Sequence, residues 1–135
     1  EALARSLQLE RHCVLTLLVP PGQVPVLAGI MDALVHLSLR EGLPLALPQA
    51  LAAGGPVIAY DCDGAREICL DHQTGFLLRP GDLDGLKNRL LQLANYAALR
   101  EQFGRHGQNF VRQNFSVAGM VDGIYNLYLR LAAKK

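Results

Sequence analysis

One acidic side chain stands where a parallel-sheet protein binds anions or polar small molecules. Glu41 follows an apolar run, 33–39, that predicts a buried parallel strand. Gly42 and Pro44 then turn the chain into a predicted helix that ends at Gly54, because glycine tolerates the left-handed conformation of a helix C-cap. Ligands of open α/β sheets bind outside the carboxyl ends of the strands, where helix N-termini present free N–H groups. The stretch therefore predicts a carboxylate beside free main-chain donors.

Gln49 is the next polar side chain along this predicted helix. A side-chain amide offers one acceptor oxygen and two N–H donors, so it can bind a hydroxyl group without the help of a charge. A polar position on the exposed face of a helix explains Gln49 equally well, and both interpretations stay open. Pro48 constrains the start of the helix, since a proline in a helix interior costs about 3 kcal/mol. The helix should therefore begin near Leu45, with the proline in its first turn.

A second turn is expected to line the same crevice. Asp61, Asp63 and Gly64 follow the next apolar run and precede a short predicted helix. Since the carboxyl ends of parallel strands share one edge of a sheet, these residues should lie near Glu41. Arg40 and Arg66 would flank the crevice, although arginine side chains are ordinarily exposed to solvent.

The composition predicts one folded unit with no bulk affinity for polyanions. Of the 135 residues, 50% are hydrophobic and 19% are charged, and the net charge is +1. A nearly neutral chain has no excess charge with which to hold nucleic acid or an acidic membrane surface. No apolar run approaches the roughly 20 residues of a membrane-spanning helix, so we expect no transmembrane segment.

The side chains that most often bind metals are scattered along the sequence. Cys13, Cys62 and Cys69 form no CxxC motif, and this odd number without ligand spacing predicts buried, reduced thiols. The four histidines are also far apart in sequence. We therefore predict no metal site.

The elements that must position Glu41 alternate between apolar strands and helices. Four strands are predicted, at 13–19, 33–39, 56–60 and 75–78. Short helices are expected between them. This alternation favours an α/β fold in which a Rossmann-like parallel sheet is flanked by helices.

The last third of the chain is predicted to be helical. Asp82 is a good N-cap for a helix through Ala94, a second helix spans 97–114, and Ser116 caps a third. Gly104 and Gly107 should soften the second helix. The side chains expected to face inward from the first helix are Leu83, Leu86, Leu90 and Leu93.

The third of these helices has an apolar stripe that predicts a core-facing side. Gly119 and Gly123 lie one turn apart on it, which suggests close packing against a neighbour. The stripe consists of Val117, Met120, Val121, Ile124, Tyr128 and Leu131.

Five segments in order carry a resemblance to a known family. They are 40–59, which begins REGLP and contains QALAAGGPVIA, then GAREI at 64–68, TGFLL at 74–78, PGD at 80–82, and Phe115 with Ser116. Together they resemble the donor-binding, C-terminal domain of the retaining glycosyltransferases of family four, the group 1 enzymes of GT-B fold. The similarity covers most of residues 12–132.

The resemblance implies a set of site residues. Glu41 takes the catalytic position of the family's first glutamate, which sits beside the donor sugar and accepts hydrogen bonds from its hydroxyls. Gly42, Leu43 and Pro44 would bring the backbone close to the sugar and phosphate. Leu45 would offer its main-chain N–H to the diphosphate at the start of the helix.

The family uses a pair of glutamates in this stretch, and the chain departs from the family at the second of them. The family's glutamate binds the nucleotide ribose there, and this chain has Gln49. Glutamine can still bond a ribose hydroxyl but loses the charge-assisted part, worth about 1–2 kcal/mol. The departure implies weakened or altered donor binding. It also motivates an alternative, a degenerate nucleotide-sugar-binding or interaction module that kept the fold and lost the transfer activity.

The resemblance also implies a truncated fold. The family's donor-binding domain has six strands in the order 3-2-1-4-5-6, and the four predicted strands would be the third to the sixth. Residues 1–135 would then be a single partial domain. The strand at 13–19 should either pair directly with the strand at 33–39, or leave exposed sheet edges through which chains self-associate.

The implied function is transfer of a sugar from a nucleotide-diphosphate sugar, which is a substrate, so no cofactor is expected. The family's acceptor-binding N-terminal domain and the basic residues that hold the diphosphate are missing from this chain, so the chain alone is expected to be inactive. We expect the parent protein to be cytoplasmic, or peripheral at the membrane through that N-terminal domain. The nucleotide, the sugar and the acceptor are left open.

Overall fold

An open parallel sheet organises residues 2–133, the part of the chain described by this computed structural model. Strand β1 is Leu34–His36, β2 is Val57–Tyr60 and β3 is Gly75–Leu78, in the spatial order β1-β2-β3. All three run parallel, and β2 lies between the other two. The predicted α/β class with a parallel sheet is confirmed.

Helices connect the strands and continue beyond them. Helices α1 (Ala2–Ser6) and α2 (Val24–Gly29) precede β1, α3 (Ala46–Ala53) joins β1 to β2, and α4 (Ala65–Ile68) joins β2 to β3. Three longer helices follow the sheet: α5 (Leu83–Asn95), α6 (Ala97–Asn114) and α7 (Val117–Ala132).

The core forms two layers because successive residues of a strand point to opposite faces of the sheet. From β2, Val57 and Ala59 face one cluster, which contains Leu47 and Leu51 of α3. Ile58 and Tyr60 face the other cluster, with Phe76, Leu93 and Phe103. The central strand is buried along its whole length and anchors both layers.

Two glycines of α6 allow this helix to lie directly against α3. A Cβ atom at Gly104 would collide with the carbonyl oxygen of Gly54, and one at Gly107 would lie 2.6 Å from Cδ2 of Leu51. Both glycines are buried, and α6 is continuous over 18 residues. They provide close packing, and the expectation that they soften the helix is wrong.

The predicted strand at 13–19 is not formed. Val14 and Leu18 are 87% and 98% exposed, and Leu17 has a φ of +52°, which is incompatible with an extended strand. A strand needs a neighbour to receive its N–H and C=O groups, and this segment has none within residues 2–133. In the part of the chain that the structure describes, strand β1 pairs only with β2. The four-strand prediction is therefore wrong for the described residues, and the direct pairing of 13–19 with β1 does not occur.

The predicted strand at 33–39 is correct in place but too long and too buried. β1 covers only Leu34–His36 and lies at the edge of the sheet, so Val35 is 38% exposed. The exposed position of Cys13 likewise contradicts its prediction as a buried thiol, whereas Cys69 is buried and Cys62 is partly buried. Both errors overestimate burial, since Val35 and Cys13 are exposed within residues 2–133.

Local signals predicted the other element ends well. Helix α3 begins at Ala46 with Pro48 in its first turn, and Gly54 has the φ of +91° that its C-cap role requires. Asp82 accepts a hydrogen bond from the N–H of Gly85 at 2.8 Å, and Ser116 caps α7 in the same way. Capping satisfies N–H groups that the helix itself leaves free.

The predicted inward faces of the last helices are only partly correct. On α5, Leu93 is buried and Leu86 packs against the core, but Leu83 and Leu90 are exposed. No residue of α7 is buried, so its apolar stripe is not part of a core within the described residues. A Cβ atom at Gly123 would meet nothing within 4 Å. Helical periodicity predicted the helices but not the surfaces against which they pack.

Candidate functional site

Two loops meet at Glu41, one after β1 and one after β2. The main-chain N–H of Glu41 donates to Oδ2 of Asp63 at 2.9 Å. The thiol of Cys62 donates to the carbonyl oxygen of Ser38 at 2.9 Å, and the Ser38 hydroxyl donates to that of Arg40 at 3.2 Å. The first two hydrogen bonds join the two strand-end loops, as predicted for a shared crevice, and the third lies within the loop after β1.

Gly64 makes the contact between the loops sterically possible. A Cβ atom at this position would collide with the carbonyl oxygen of Gly42 and lie 3.3 Å from Cα of Leu43. The preceding residue, Asp63, has a φ of +43°. Aspartate tolerates this left-handed conformation better than most residues. The turn is therefore shaped to bring its backbone and one carboxylate against the loop that carries Glu41.

The carboxylate of Glu41 lies beside His36, the last residue of β1. Oε1 of Glu41 is 3.4 Å from Nε2 of His36, and the two side chains are 35% and 21% exposed. Nε2 is buried, and within residues 2–133 it makes no hydrogen bond. No motif in the sequence singled out His36. The available signal was one polar residue near the end of an otherwise apolar run.

Negative charge dominates this part of the surface. Burial, followed by the charges of Asp63, Asp61 and Glu41, raises the pKa of the Cys62 thiol. The thiol therefore stays protonated at neutral pH and can donate its hydrogen bond. Arg66 offsets part of the charge, since its Nε and Nη2 donate to Oδ1 of Asp61 at 3.0 and 2.9 Å.

Cations are few at this edge. Arg40 is exposed and forms no ion pair among the described residues. Lys87 belongs to α5, and Lys134 and Lys135 lie outside the described residues. In the part of the chain that the structure describes, no three His, Cys, Asp or Glu side chains converge as they would around a metal ion.

Main-chain donors are available between Glu41 and α3. The N–H groups of Gly42, Leu43, Leu45 and Ala46 donate to no acceptor within residues 2–133, and Pro44 has no N–H to donate. Free N–H groups are expected ahead of a helix, where they form a ready site for an anion. The structure thus places the predicted residues 41–45 together on one loop.

Gln49 lies apart from this loop. Its main-chain N–H donates to the carbonyl oxygen of Leu45 at 3.3 Å, and its exposed side chain lines a cavity of about 530 Å³ between α3, α6 and α7. No hydrogen bond joins Gln49 to Glu41 among the described residues. Both interpretations of this side chain remain open.

The family can be established by comparison with known proteins. Residues 1–110 match the family described as glycosyl transferases group 1. The chain belongs to this family. Among its relatives is the putative glycosyltransferase EpsD of Bacillus subtilis, which is 34% identical over 112 residues, 81% of this chain and 29% of that protein.

Solved structures show the same fold as this chain. Sucrose-phosphate synthase from Thermosynechococcus elongatus superimposes with a TM-score of 0.92 at 23% identity, covering 99% of this chain and 34% of that one. Anabaena HepE in complex with UDP-glucose gives 0.88 at 22% identity, covering 96% and 35%. The predicted GT-B glycosyltransferase resemblance is confirmed.

The group 1 glycosyltransferase chain spans under a third of the length of the curated relatives it matches. None of its helices within residues 2–133 has both the length and the apolarity to cross a membrane. The roles assigned to Glu41, Gly42, Leu43, Pro44, Leu45 and Gln49 stay predictions.

Proposed function

We propose that this chain is the donor-binding part of a retaining glycosyltransferase, which moves a sugar from a nucleotide-diphosphate sugar to an acceptor. The observation that carries the proposal is that Glu41 and main-chain N–H groups without an acceptor among residues 2–133 lie on one loop at the carboxyl edge of the sheet. A carboxylate accepts hydrogen bonds from sugar hydroxyls, and free N–H groups at a helix start bind phosphate.

Each part of the loop has a proposed role. Glu41 positions the donor sugar by accepting from its hydroxyls. Gly42, Leu43 and Pro44 bring the backbone close to the sugar, and Leu45 donates its N–H to the diphosphate. The structure of HepE was determined in complex with UDP-glucose, which makes UDP-sugars the first donors to test.

The chain alone is proposed to lack transfer activity. Stabilising a departing diphosphate requires positive charge or many oriented donors in a site without water. Near the candidate site, Arg66 is engaged with Asp61, and Arg40 projects from an exposed position. We propose that the remainder of the protein supplies the cations and the acceptor site, and that any association with a membrane occurs through that part.

Gln49 supports a second candidate, a module that binds nucleotide sugars or a partner without transferring sugar. An amide at the proposed ribose position binds less strongly than a carboxylate by about 1–2 kcal/mol, a factor of roughly 5 to 30 in affinity. Turnover therefore distinguishes the two candidates, since the module would bind a nucleotide sugar and not consume it.

The test uses the full-length protein that contains this chain. It is titrated calorimetrically with UDP, GDP and ADP and with the corresponding sugar nucleotides, and consumption of the sugar nucleotide is then measured. We expect one nucleotide class to bind and turn over, and Glu41→Gln to abolish turnover. Glu101→Gln, at an exposed position of α6, is the matched control and should change nothing. Absence of binding to every nucleotide would contradict donor binding and leave only the module that binds a partner.

A further inference from the structure

His36 holds the one side-chain nitrogen or oxygen atom that is buried without a hydrogen-bond partner among residues 2–133, its Nε2. Buried polar groups in native proteins are almost always paired, because an unpaired group loses its hydrogen bonds to water and gains none. An unpaired atom at this place therefore points to a partner that joins it in another state of the protein.

The position of His36 in the fold makes the polar side chain notable. It is the last residue of β1, and Leu34, two residues earlier, packs against the core cluster formed by α3 and β2. Residues two apart on a strand share a face. An aliphatic side chain at position 36 would continue this packing without cost, so packing alone does not explain the imidazole.

We propose that His36 is a positioning residue for Glu41, whose carboxylate accepts a hydrogen bond from Nε2–H of His36 when the donor sugar is bound. The inference rests on the proposed function of Glu41. Nε2 and Oε1 are already 3.4 Å apart, and the Glu41 side chain is 35% exposed and can turn. Its main chain is held by Asp63, so only the carboxylate has to move.

Such a bond would give the two carboxylate oxygens of Glu41 different hydrogen-bond partners. Oε1 would accept from the imidazole, and Oε2 would remain free to accept from a sugar hydroxyl, since each carboxylate oxygen has two acceptor sites. The negative charges of Asp61 and Asp63 repel the Glu41 carboxylate, and a donor on its inner side opposes this repulsion. His36 thereby fixes the direction in which Glu41 faces the sugar.

The test compares His36→Leu and His36→Gln in the full-length protein. Leucine removes the unpaired polar atom, so we expect His36→Leu to unfold at the same temperature as the unmodified protein or higher. Its kcat/KM should nevertheless fall roughly 10- to 100-fold, the usual effect of a misplaced catalytic group. Glutamine places an amide N–H near the position of Nε2, so His36→Gln should retain most of the activity. His106→Gln, at an exposed position of α6, controls for loss of a histidine.

Equal activity of His36→Leu and the unmodified protein would overturn the inference, and so would an equal loss in His36→Leu and His36→Gln. If His36→Leu unfolds more easily, His36→Gln is compared with His36→Asn, whose shorter amide cannot reach Glu41. The inference is supported if His36→Gln retains activity and His36→Asn does not. It is overturned if these two variants are equally active. Failure of the proposed function is separate, because the unmodified protein would then consume no sugar nucleotide.

Discussion

At the scale of single residues, Asp63 joins the two loops of the candidate site. Its carboxylate accepts the main-chain N–H of Glu41, and its own backbone has a φ of +43°. Aspartate and asparagine tolerate this conformation and can accept the bond, whereas alanine can do neither well. The orientation of the Glu41 loop therefore depends on a side chain from the neighbouring strand end.

Replacement of Asp63 should separate the contribution of its hydrogen bond from that of its left-handed backbone conformation. We expect Asp63→Asn to stay close to the unmodified protein in stability, Asp63→Gly to lose the hydrogen bond only, and Asp63→Ala to be the least stable, by about 1–2 kcal/mol. Urea unfolding measures the stability, and titration with the sugar nucleotide measures the effect on the site. Equal stability of the alanine and asparagine variants would show that neither the bond nor the backbone conformation matters.

The three cysteines should differ strongly in reactivity. Burial, followed by the charge of Asp71, raises the pKa of Cys69 to about 12, so at about pH 8 only about one thiol in 10⁴ is the reactive thiolate. The thiolate fraction grows as the pH rises towards that pKa. Cys13 is exposed, whereas the pKa of Cys62 is raised by burial and by its acidic neighbours.

Alkylation with iodoacetamide followed by peptide mass spectrometry measures this order in the native protein. We expect Cys13 to be modified first, with Cys62 and Cys69 protected until the protein unfolds. Fast native modification of Cys69 would contradict the burial of its thiol.

The site was predictable where its chemistry is local in sequence. Residues 41–45 form one continuous loop after a strand, so strand-end rules and the family resemblance located them together. The contact with Asp63 followed from the shared edge of parallel strands. His36 was missed because the burial of its Nε2 is a property of the folded chain, and no local pattern reports burial of one atom.

At the scale of elements, the contact between α3 and α6 positions the helix that follows Glu41. It depends on the absence of side-chain atoms at Gly104 and Gly107. Gly54, at the end of α3, contributes the carbonyl that lies nearest to Gly104. Since α3 begins directly after the proposed sugar-binding loop, this contact also determines where the free N–H groups point.

Gly104→Ala should therefore destabilise the 135-residue chain by about 1–3 kcal/mol through overpacking. Gly123→Ala is the matched control, because it also replaces a helix-interior glycine but meets open space. It should stabilise the chain by about 0.5–1 kcal/mol, since alanine loses less backbone entropy than glycine. Urea unfolding of both variants gives the comparison. Stabilisation by both substitutions would show that helix propensity outweighs the packing of α6 on α3.

Helices and strands were predicted best where the signal lies in neighbouring residues of the sequence. Asp82, Ser116 and Gly54 fixed helix ends because a cap involves only neighbouring residues. The segment 13–19 failed because a strand exists only beside a partner, which periodicity does not supply. For the same reason, the spacing of apolar residues in α7 correctly predicted an amphipathic helix, but the prediction that its apolar side is buried was wrong for the described residues.

At the scale of the whole molecule, an extended apolar surface is left uncovered. On α7, Met120, Ile124 and Tyr128 are 59%, 48% and 66% exposed, and Leu18 of the segment 13–19 is almost fully exposed. A stripe of exposed apolar side chains such as that on α7 marks an interaction site or an aggregation hazard. A net charge of +1 offers little repulsion between copies.

We therefore expect the isolated 135-residue chain to self-associate, chiefly through α7. The double variant Ile124→Glu with Tyr128→Lys should shift the chain towards the monomer, because charged side chains lose hydration when an apolar interface forms. Light scattering coupled to size-exclusion chromatography measures the mass, and circular dichroism checks that helix content is kept. Gln102→Glu, at an exposed position of α6, should leave the mass unchanged.

The same measurement separates α7 from the sheet edge as the site of self-association. Val35 lies on β1, which has a paired neighbour on one side only within residues 2–133. A charged side chain on an edge strand discourages pairing with another chain, so Val35→Lys should reduce the mass if the edge is responsible. We expect a smaller effect than from the α7 variant, since β1 offers only three residues for pairing whereas α7 exposes four turns. A monomer produced by Val35→Lys alone would contradict the assignment to α7.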